Sequence, residues 1–183
     1  MHGLSPPSPW VQRFAALVRP GGAVLDVACG GRRHVRWLAA QGFTVTGVDR
    51  DAAALAGIDT PAELLRADIE AGPWPLPGRR FDGVVVTNYL WRPLWPQLRA
   101  ALASGGVYIH ETFADGHQHV GRPARPDFLL QRWELLRACE GLRIVAFEDG
   151  FDQGCCVQRI AAVNEPPALP VPPRYALGPG SWA

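Results

Sequence analysis

The stretch "VLDVACGGRRH", residues 24–34, decides the reading. An apolar run ends in an acid, passes through small residues and enters the start of a helix. That is how a strand opens at its carboxyl end into a ligand-holding loop. A loop of the form D-x-G-x-G-x-G would carry three glycines. Here Ala28 stands at the first position, Gly30 keeps the second and Arg32 takes the third. Alanine at 28 costs little where its backbone angles are ordinary. Arg32 puts a long cation at the start of the following helix, where it either swings to solvent or enters the cleft.

Outward from this loop, strand and helix patterns alternate. Helical spacing or boundary residues mark helices over residues 10–18, 32–41, 51–56, 94–103 and 127–139. Short apolar runs mark strands over 24–28, 43–48, 63–67, 81–87, 107–112, 142–148 and 156–163. Residues 72–80 read as a Pro- and Gly-rich loop, and "SGG" at 104–106 reads as a break after the preceding helix. Such alternation predicts an α/β fold, a Rossmann-like doubly wound sheet that is mostly parallel. The uninterrupted apolar character of "VLDV" and "DGVVVT" fits strands covered on both faces. Only "DGFDQGC" joins the last two strands, too little for a helical crossover, so they should form a terminal antiparallel pair. Phe147 and Val157 are expected on those neighbouring strands.

The 183 residues suit one domain with a sizeable core, and 48% hydrophobic residues are ordinary for a globular chain. All 18 basic residues are arginine, which with the Ala, Gly and Pro load suggests a GC-rich, bacterial genome. The net charge of +1 points to neither nucleic acid nor an anionic membrane. No aromatic residues interleave with a basic stripe, and no apolar run is long enough to cross a bilayer. Cys29, Cys139, Cys155 and Cys156 show no C-x-x-C pair and no histidine spacing suited to zinc, so no metal is expected and the thiols read as reduced and cytoplasmic.

In an open α/β sheet, ligands bind beyond the carboxyl ends of the strands. The rim therefore consists of "CGGRRH", Asp49, Asp68, "NYLW" and "ETF", each following its own strand. Asp49, 23 residues after Asp26, is placed to take both hydroxyls of a ribose, and Asp68 to accept from an exocyclic amine. Each acid can instead cap the helix that follows it.

Taken in order, "VLDVACGGRRH", "GFTVTGVDRD", "LLRADIE", "FDGVVVTNYLW" and "ALASGGVYIHETF" resemble the class I S-adenosylmethionine-dependent methyltransferases over roughly residues 10–163. Within them the chain is most similar to small bacterial enzymes akin to the tellurite-resistance and thiopurine methyltransferases. The resemblance implies a methyltransferase domain over residues 1–164, with the helix at 9–19 as a cap; six prolines in residues 165–183 mark a Pro-rich, irregular tail. It implies S-adenosylmethionine as cofactor, S-adenosylhomocysteine as product and a small-molecule acceptor. Asp26 would approach the methionine amino group. Ala28, Cys29 and Gly30 would bring backbone to the cofactor. Asp49 would hold the ribose, with Arg50 beside the adenine. Asp68 and Ile69 would read the adenine, and Thr87 and Asn88 would face the methionine part. Trp10 either covers the cofactor or staples its helix to the core.

Methyl transfer needs proximity and orientation, with a base only where the nucleophile must lose a proton. Tyr89, Arg92, His110, Glu111, His117 and His119 are the candidates, with Tyr89, His110 and Glu111 foremost. His110 and Glu111 alternate across a strand, so one of them faces the cleft, and Glu111 stands nearer the strand's carboxyl end. Trp91, Trp95 and Phe113 either wall an apolar acceptor pocket or pack in the core. Arg122 and Arg125 in "GRPARP" either meet an anionic acceptor or do nothing. Arg32 either clamps the cofactor carboxylate or obstructs its site, and Arg33 or His34 could serve in its place. An outward or carboxylate-facing Arg32 is expected, since an inward one buries an unpaired charge. The alternative to an active enzyme is a degenerate relative that binds the cofactor, or nothing, and regulates. A nicotinamide-dependent oxidoreductase ranks last, for want of G-x-G-x-x-G.

Overall fold

Seven strands form one sheet in the order β3-β2-β1-β4-β5-β7-β6 in the computed structural model, which describes residues 6–56, 61–166 and 171–178. The strands are β1 (Ala23–Val27), β2 (Thr44–Asp49), β3 (Glu63–Arg66), β4 (Phe81–Thr87), β5 (Leu102–Phe113), β6 (Arg143–Asp152) and β7 (Cys155–Val163). The first five run parallel, and β7 pairs antiparallel with both β5 and β6. The terminal pair is as expected: Phe147 of β6 lies opposite Ile160 of β7, and Val157 of β7 lies opposite Gly150 of β6.

Each sheet face is covered. On one side α1 (Pro9–Phe14) and α2 (Arg33–Ala40) set Trp10, Val11, Phe14, Val35 and Leu38 against Val24, Val45, Val85, Ile109 and Ala161. On the other, α4 (Trp95–Ala100) and α5 (Glu134–Ala138) set Leu98 and Leu135 against Leu25, Val27, Val84, Tyr108 and Ile160. Burial on both faces is why these strands read as unbroken apolar runs. α1 begins at Ser8, whose hydroxyl accepts from the amides of Trp10 and Val11, with Pro9 in the first turn. The short α3 (Ala52–Leu55) is capped by Asp51, whose carboxylate accepts from Ala53 N at 2.8 Å. Among the described residues no helix is long and apolar enough to cross a membrane.

Two elements differ from expectation. The helix expected over residues 127–139 is a 3-10 turn, Pro126–Phe128, followed by the five-residue α5. Arg92 takes the carbonyls of Asp127 and Leu129 that a continuous helix would have used internally, and Trp133 sits at φ 61°, outside helical geometry. The "SGG" segment does not break the chain out of the sheet either. β5 starts at Leu102, opposite Phe81, and the pairing shifts before resuming at Gly83 and Val107, with Gly105 at φ 77° absorbing the irregularity.

Candidate functional site

A cavity of about 420 Å³ opens over the carboxyl ends of β1, β2, β3, β4 and β5. Of the residues singled out as cofactor-binding, Ala28, Asp49, Arg50, Asp68, Ile69 and Asn88 line it together. Its remaining wall comes from Ala67 and Glu70 on either side of Asp68 and Ile69, from Tyr89, Leu90, Thr112 and Phe113, and from Pro123 and Phe128 of the loop after β5.

Asp49 organises the loop. One carboxylate oxygen accepts from Gly30 N at 2.7 Å and the other from Asp51 N at 2.8 Å. Since the α3 cap is Asp51, Asp49 is not the cap of that helix. Each carboxylate oxygen keeps a second lone pair for a ligand. Asp68 uses Oδ1 to accept from Glu70 N and Ala71 N, and these amides hold its carboxyl below the usual range.

Left-handed backbone shapes the loop. Ala28 (φ 51°), Gly30 (φ 47°) and Arg32 (φ 62°) all lie at positive φ. Ala28 thus lacks the ordinary angles at which alanine costs little, and two side-chain-bearing residues hold conformations that glycine adopts freely. Arg32 takes neither of its expected poses. It is buried, lines neither this cavity nor the one described below, and donates from Nη1 to Ala56 O at 3.0 Å. Buried away from the cavity, Arg32 neither clamps nor obstructs a ligand there.

Asp26, Cys29, Gly30 and Thr87 are not among the residues that line the cavity. Cys29 is buried, its Sγ packed toward Gly47 of β2, and burial pushes its thiol up to about 12. Thr87 Oγ1 meets His34 Nδ1 at 3.3 Å, while Ser8 N donates to His34 Nε2, which makes Nδ1 the protonated nitrogen. Burial lowers His34 to about 4, so the ring is neutral. Asp26 is 1% exposed, and neither carboxylate oxygen has a hydrogen-bond partner among the described residues. Burial pushes it up to about 7, against the pull of Arg33.

A second cavity, of about 610 Å³, adjoins the first at Asn88 and Phe113. Its walls include Ser8, Trp10, Arg13 and Arg33 on one side and Glu111, Glu148, Asp152 and Arg159 on the other. Glu111 and Arg159 are cross-strand partners on β5 and β7, and Glu148 faces Arg159 from β6. The Arg159 guanidinium donates to Glu111 at 2.5 Å, Glu148 at 3.1 Å and Asp152 at 2.7 Å.

The catalytic candidates separate accordingly. Glu111 lines the second cavity. His110, on the opposite face of the strand, lines neither: it is 1% exposed, accepts from the Tyr108 hydroxyl at Nδ1 and donates from Nε2 to Tyr89 O. Burial lowers it to about 4. His110 is therefore a structural brace for the Tyr89 backbone, which corrects its candidacy as a base. Tyr89 borders the first cavity, and burial pushes its phenol up, so it remains protonated. Arg92 forms a two-pronged pair with Glu134 at 2.6 and 2.9 Å and braces the loop carrying Phe128. His117 stacks on Phe113 and donates to Arg122 O, another brace. Trp91 and Trp95 pack against the core. Trp10 does both jobs of a wall and a staple: it lines the second cavity, packs on Phe14 and donates from Nε1 to Ile160 O.

Sequence reasoning missed Pro123 and Phe128 on the first cavity and Glu148, Asp152 and Arg159 on the second. No local motif marks them; only the alternation of β6 and β7, once their pairing is known, puts Glu148 and Arg159 on one face.

Residues 24–106 match a family model described as "Methyltransferase domain". No curated protein matches the chain significantly. Among solved structures, TehB from Haemophilus influenzae superposes with a TM-score of 0.66 at 18% identity, covering 82% of this chain. The chain spans 60% of that protein's length. An S-adenosylmethionine-dependent methyltransferase from Mesorhizobium loti superposes at 0.63 and 20% identity, covering 82% of this chain and 95% of its own. A TehB-like methyltransferase from Corynebacterium glutamicum follows at 0.61 and 22%, covering 81% and 83%. Residues 24–106 thus match a methyltransferase domain model, and the sheet has the fold of the S-adenosylmethionine-dependent methyltransferases on which it superposes.

Proposed function

We propose that the first cavity binds S-adenosylmethionine and that the chain transfers its methyl group to a small-molecule acceptor in the second. The observation that carries this reading is the meeting of Asp49, Asp68 and Asn88, from the ends of three different strands, on one cavity wall. Asp49 suits a ribose diol. Asp68, with one oxygen held by backbone and the other open, suits an exocyclic amine, and the Ile69 amide lies beside it. Arg50 borders the same end. The methionine part would run past Asn88 toward the second cavity. There Arg33, whose guanidinium has, among the described residues, only a 3.5 Å contact to Pro6 O, suits its carboxylate. Asp26, buried and unpartnered, suits an ammonium group or a bridging water.

Bound there, the cofactor supplies an electrophilic methyl group: a bond from the acceptor to carbon forms as the carbon–sulfur bond breaks, leaving the electron pair on sulfur. The chain's part is mainly placement. Asn88 and Phe113, shared by both cavities, hold the junction where the two ligands would meet. Phe128 and Pro123 add apolar wall to the first cavity from the loop after β5.

Calorimetric titration with S-adenosylmethionine and S-adenosylhomocysteine tests the reading. Asp49→Ala removes charge-assisted bonds worth about 1.5–3 kcal/mol each and should weaken binding at least about tenfold. Asp51→Ala, which removes only the α3 cap, should leave affinity nearly unchanged. An unaltered dissociation constant in Asp49→Ala would reduce Asp49 to a loop tie.

A further inference from the structure

We infer that the second cavity selects amines as methyl acceptors. The inference rests on the cofactor reading above and adds the acceptor's chemical class.

The cavity floor is the sheet face where β5, β7 and β6 bring Glu111, Arg159 and Glu148 abreast, with Asp152 at the end of β6. The Arg159 guanidinium serves three carboxylates there and Arg13 pairs with Glu148 at 3.8 Å, so one negative charge stays uncompensated within the cluster. Arg33 also lines this cavity, and the cofactor reading above gives its charge to the methionine carboxylate, so the excess negative charge is what an acceptor would meet. Glu111 is 9% exposed and uses Oε2 for Arg159, while its Oε1 accepts no hydrogen bond from any described residue. The Glu148 and Asp152 side chains are half exposed at the mouth. A wall of this sign attracts ammonium groups and repels carboxylates and phosphates. Trp10, Phe113 and Val157 supply the apolar contact for the rest of the molecule.

The same carboxylates solve the chemical problem an amine poses. An ammonium ion has no lone pair. Its proton passes to Glu111 Oε1, and from there to water at the Asp152 side. The freed lone pair forms the nitrogen–carbon bond, and the product leaves as a methylated ammonium ion beside the neutral thioether. Glu111 is the catalytic residue in this scheme, and Arg159 positions it.

The test uses the full chain at pH 8 and three probes of matched shape: 2-phenylethylamine, 2-phenylethanethiol and 3-phenylpropanoate. Binding is read by calorimetry, with and without saturating S-adenosylhomocysteine. Methyl transfer is read from labelled S-adenosylmethionine. The amine should bind at least about tenfold tighter than the carboxylate and should be the probe that is methylated. Asp152→Asn should weaken amine binding about threefold while leaving the S-adenosylmethionine dissociation constant unchanged. Glu111→Gln should lower transfer to the amine more than about a hundredfold, again with cofactor affinity intact. If Glu111→Gln does not fold, the Asp152→Asn pair of constants decides alone. Equal or tighter binding of 3-phenylpropanoate, or transfer to the thiol only, would overturn the inference. Failure of S-adenosylmethionine to bind while the amine still binds would sink the cofactor reading and leave the amine preference standing.

Discussion

The two cavities share Asn88 and Phe113 yet are built by opposite means. The first is assembled from residues that directly follow strands: Ala28 after β1, Asp49 closing β2, Asp68 after β3 and Asn88 after β4. Backbone does much of its shaping, through three left-handed residues and the amides that Asp49 and Asp68 collect. The second is assembled by side chains from strands far apart in sequence, brought level by antiparallel register and locked by one guanidinium. A parallel sheet gathers chain-ordered motifs at one edge. An antiparallel pair instead makes a site out of residues with no common motif. The first kind of site is held by geometry and the second by charge, so they should fail differently.

The sharpest break in that comparison is Arg159→Ala. Removing the cation leaves Glu111, which is nearly buried, beside Glu148 and Asp152 with no guanidinium between them. Losing one partner of such a pair costs about 3 kcal/mol or more. Urea unfolding should show that loss at pH 7. Cofactor affinity, measured where the variant is folded, should change little. A variant as stable as the parent would mean the three acids are already relaxed into solvent, and charge is not what holds that floor.

The same contrast explains what was legible in the sequence. "VLDVACGGRRH", "GVDRD" and "RADIE" each carry strand, acid and turn within a dozen residues, so the mostly parallel sheet and the acids Asp49 and Asp68 could be read directly. The closing hairpin was legible from the brevity of its connection. Arg159 was not: its partner Glu111 lies 48 residues away, and nothing local marks either as part of a pair. The helix expected at 127–139 failed for a related reason. Its apolar spacing is genuine, but Arg92, 35 and 37 residues upstream, claims the carbonyls of Asp127 and Leu129. Arg32 shows the limit within a single motif. The departure from glycine was visible; that the side chain would fold back to Ala56 was not.

Asp26→Asn tests the geometric side. The carboxyl ordinarily titrates near 3.8 and is pushed up to about 7 by burial. Below about pH 4 both folded and unfolded chains hold the proton, and no penalty exists. Between about 4 and 7 the unfolded chain releases it while the folded chain keeps it, so stability falls as pH rises. Above 7 the full cost of the unpartnered buried carboxylate applies; the rise from 3.8 to about 7 makes it on the order of 4 kcal/mol. The parent should therefore lose stability relative to Asp26→Asn across that window in a thermal melt series. A ligand ammonium beside Asp26 reverses the slope for binding: affinity for S-adenosylmethionine should rise through pH 7 in the parent and not in the variant. Stability curves that stay parallel at every pH would show that Asp26 is partnered after all.

The smallest effects concern the two loop residues that replace glycine. A residue with a side chain held at positive φ gives up roughly 1 kcal/mol, part of which glycine forfeits again through its freer unfolded chain. Ala28 has little else to lose, so Ala28→Gly should be neutral to stabilising, by up to about 1 kcal/mol. Arg32 has more to lose. Arg32→Gly gains the same backbone relief but gives up the bond to Ala56 O and the packing of a buried side chain, so it should destabilise slightly. Neither change should alter the ratio of affinities for S-adenosylmethionine and S-adenosylhomocysteine. Those ligands differ by the sulfonium charge, and a guanidinium outside both cavities cannot sense it closely. If Arg32→Gly tightened S-adenosylmethionine alone, the guanidinium would have to reach the cleft, and the first cavity would be governed by side-chain charge just as the second is.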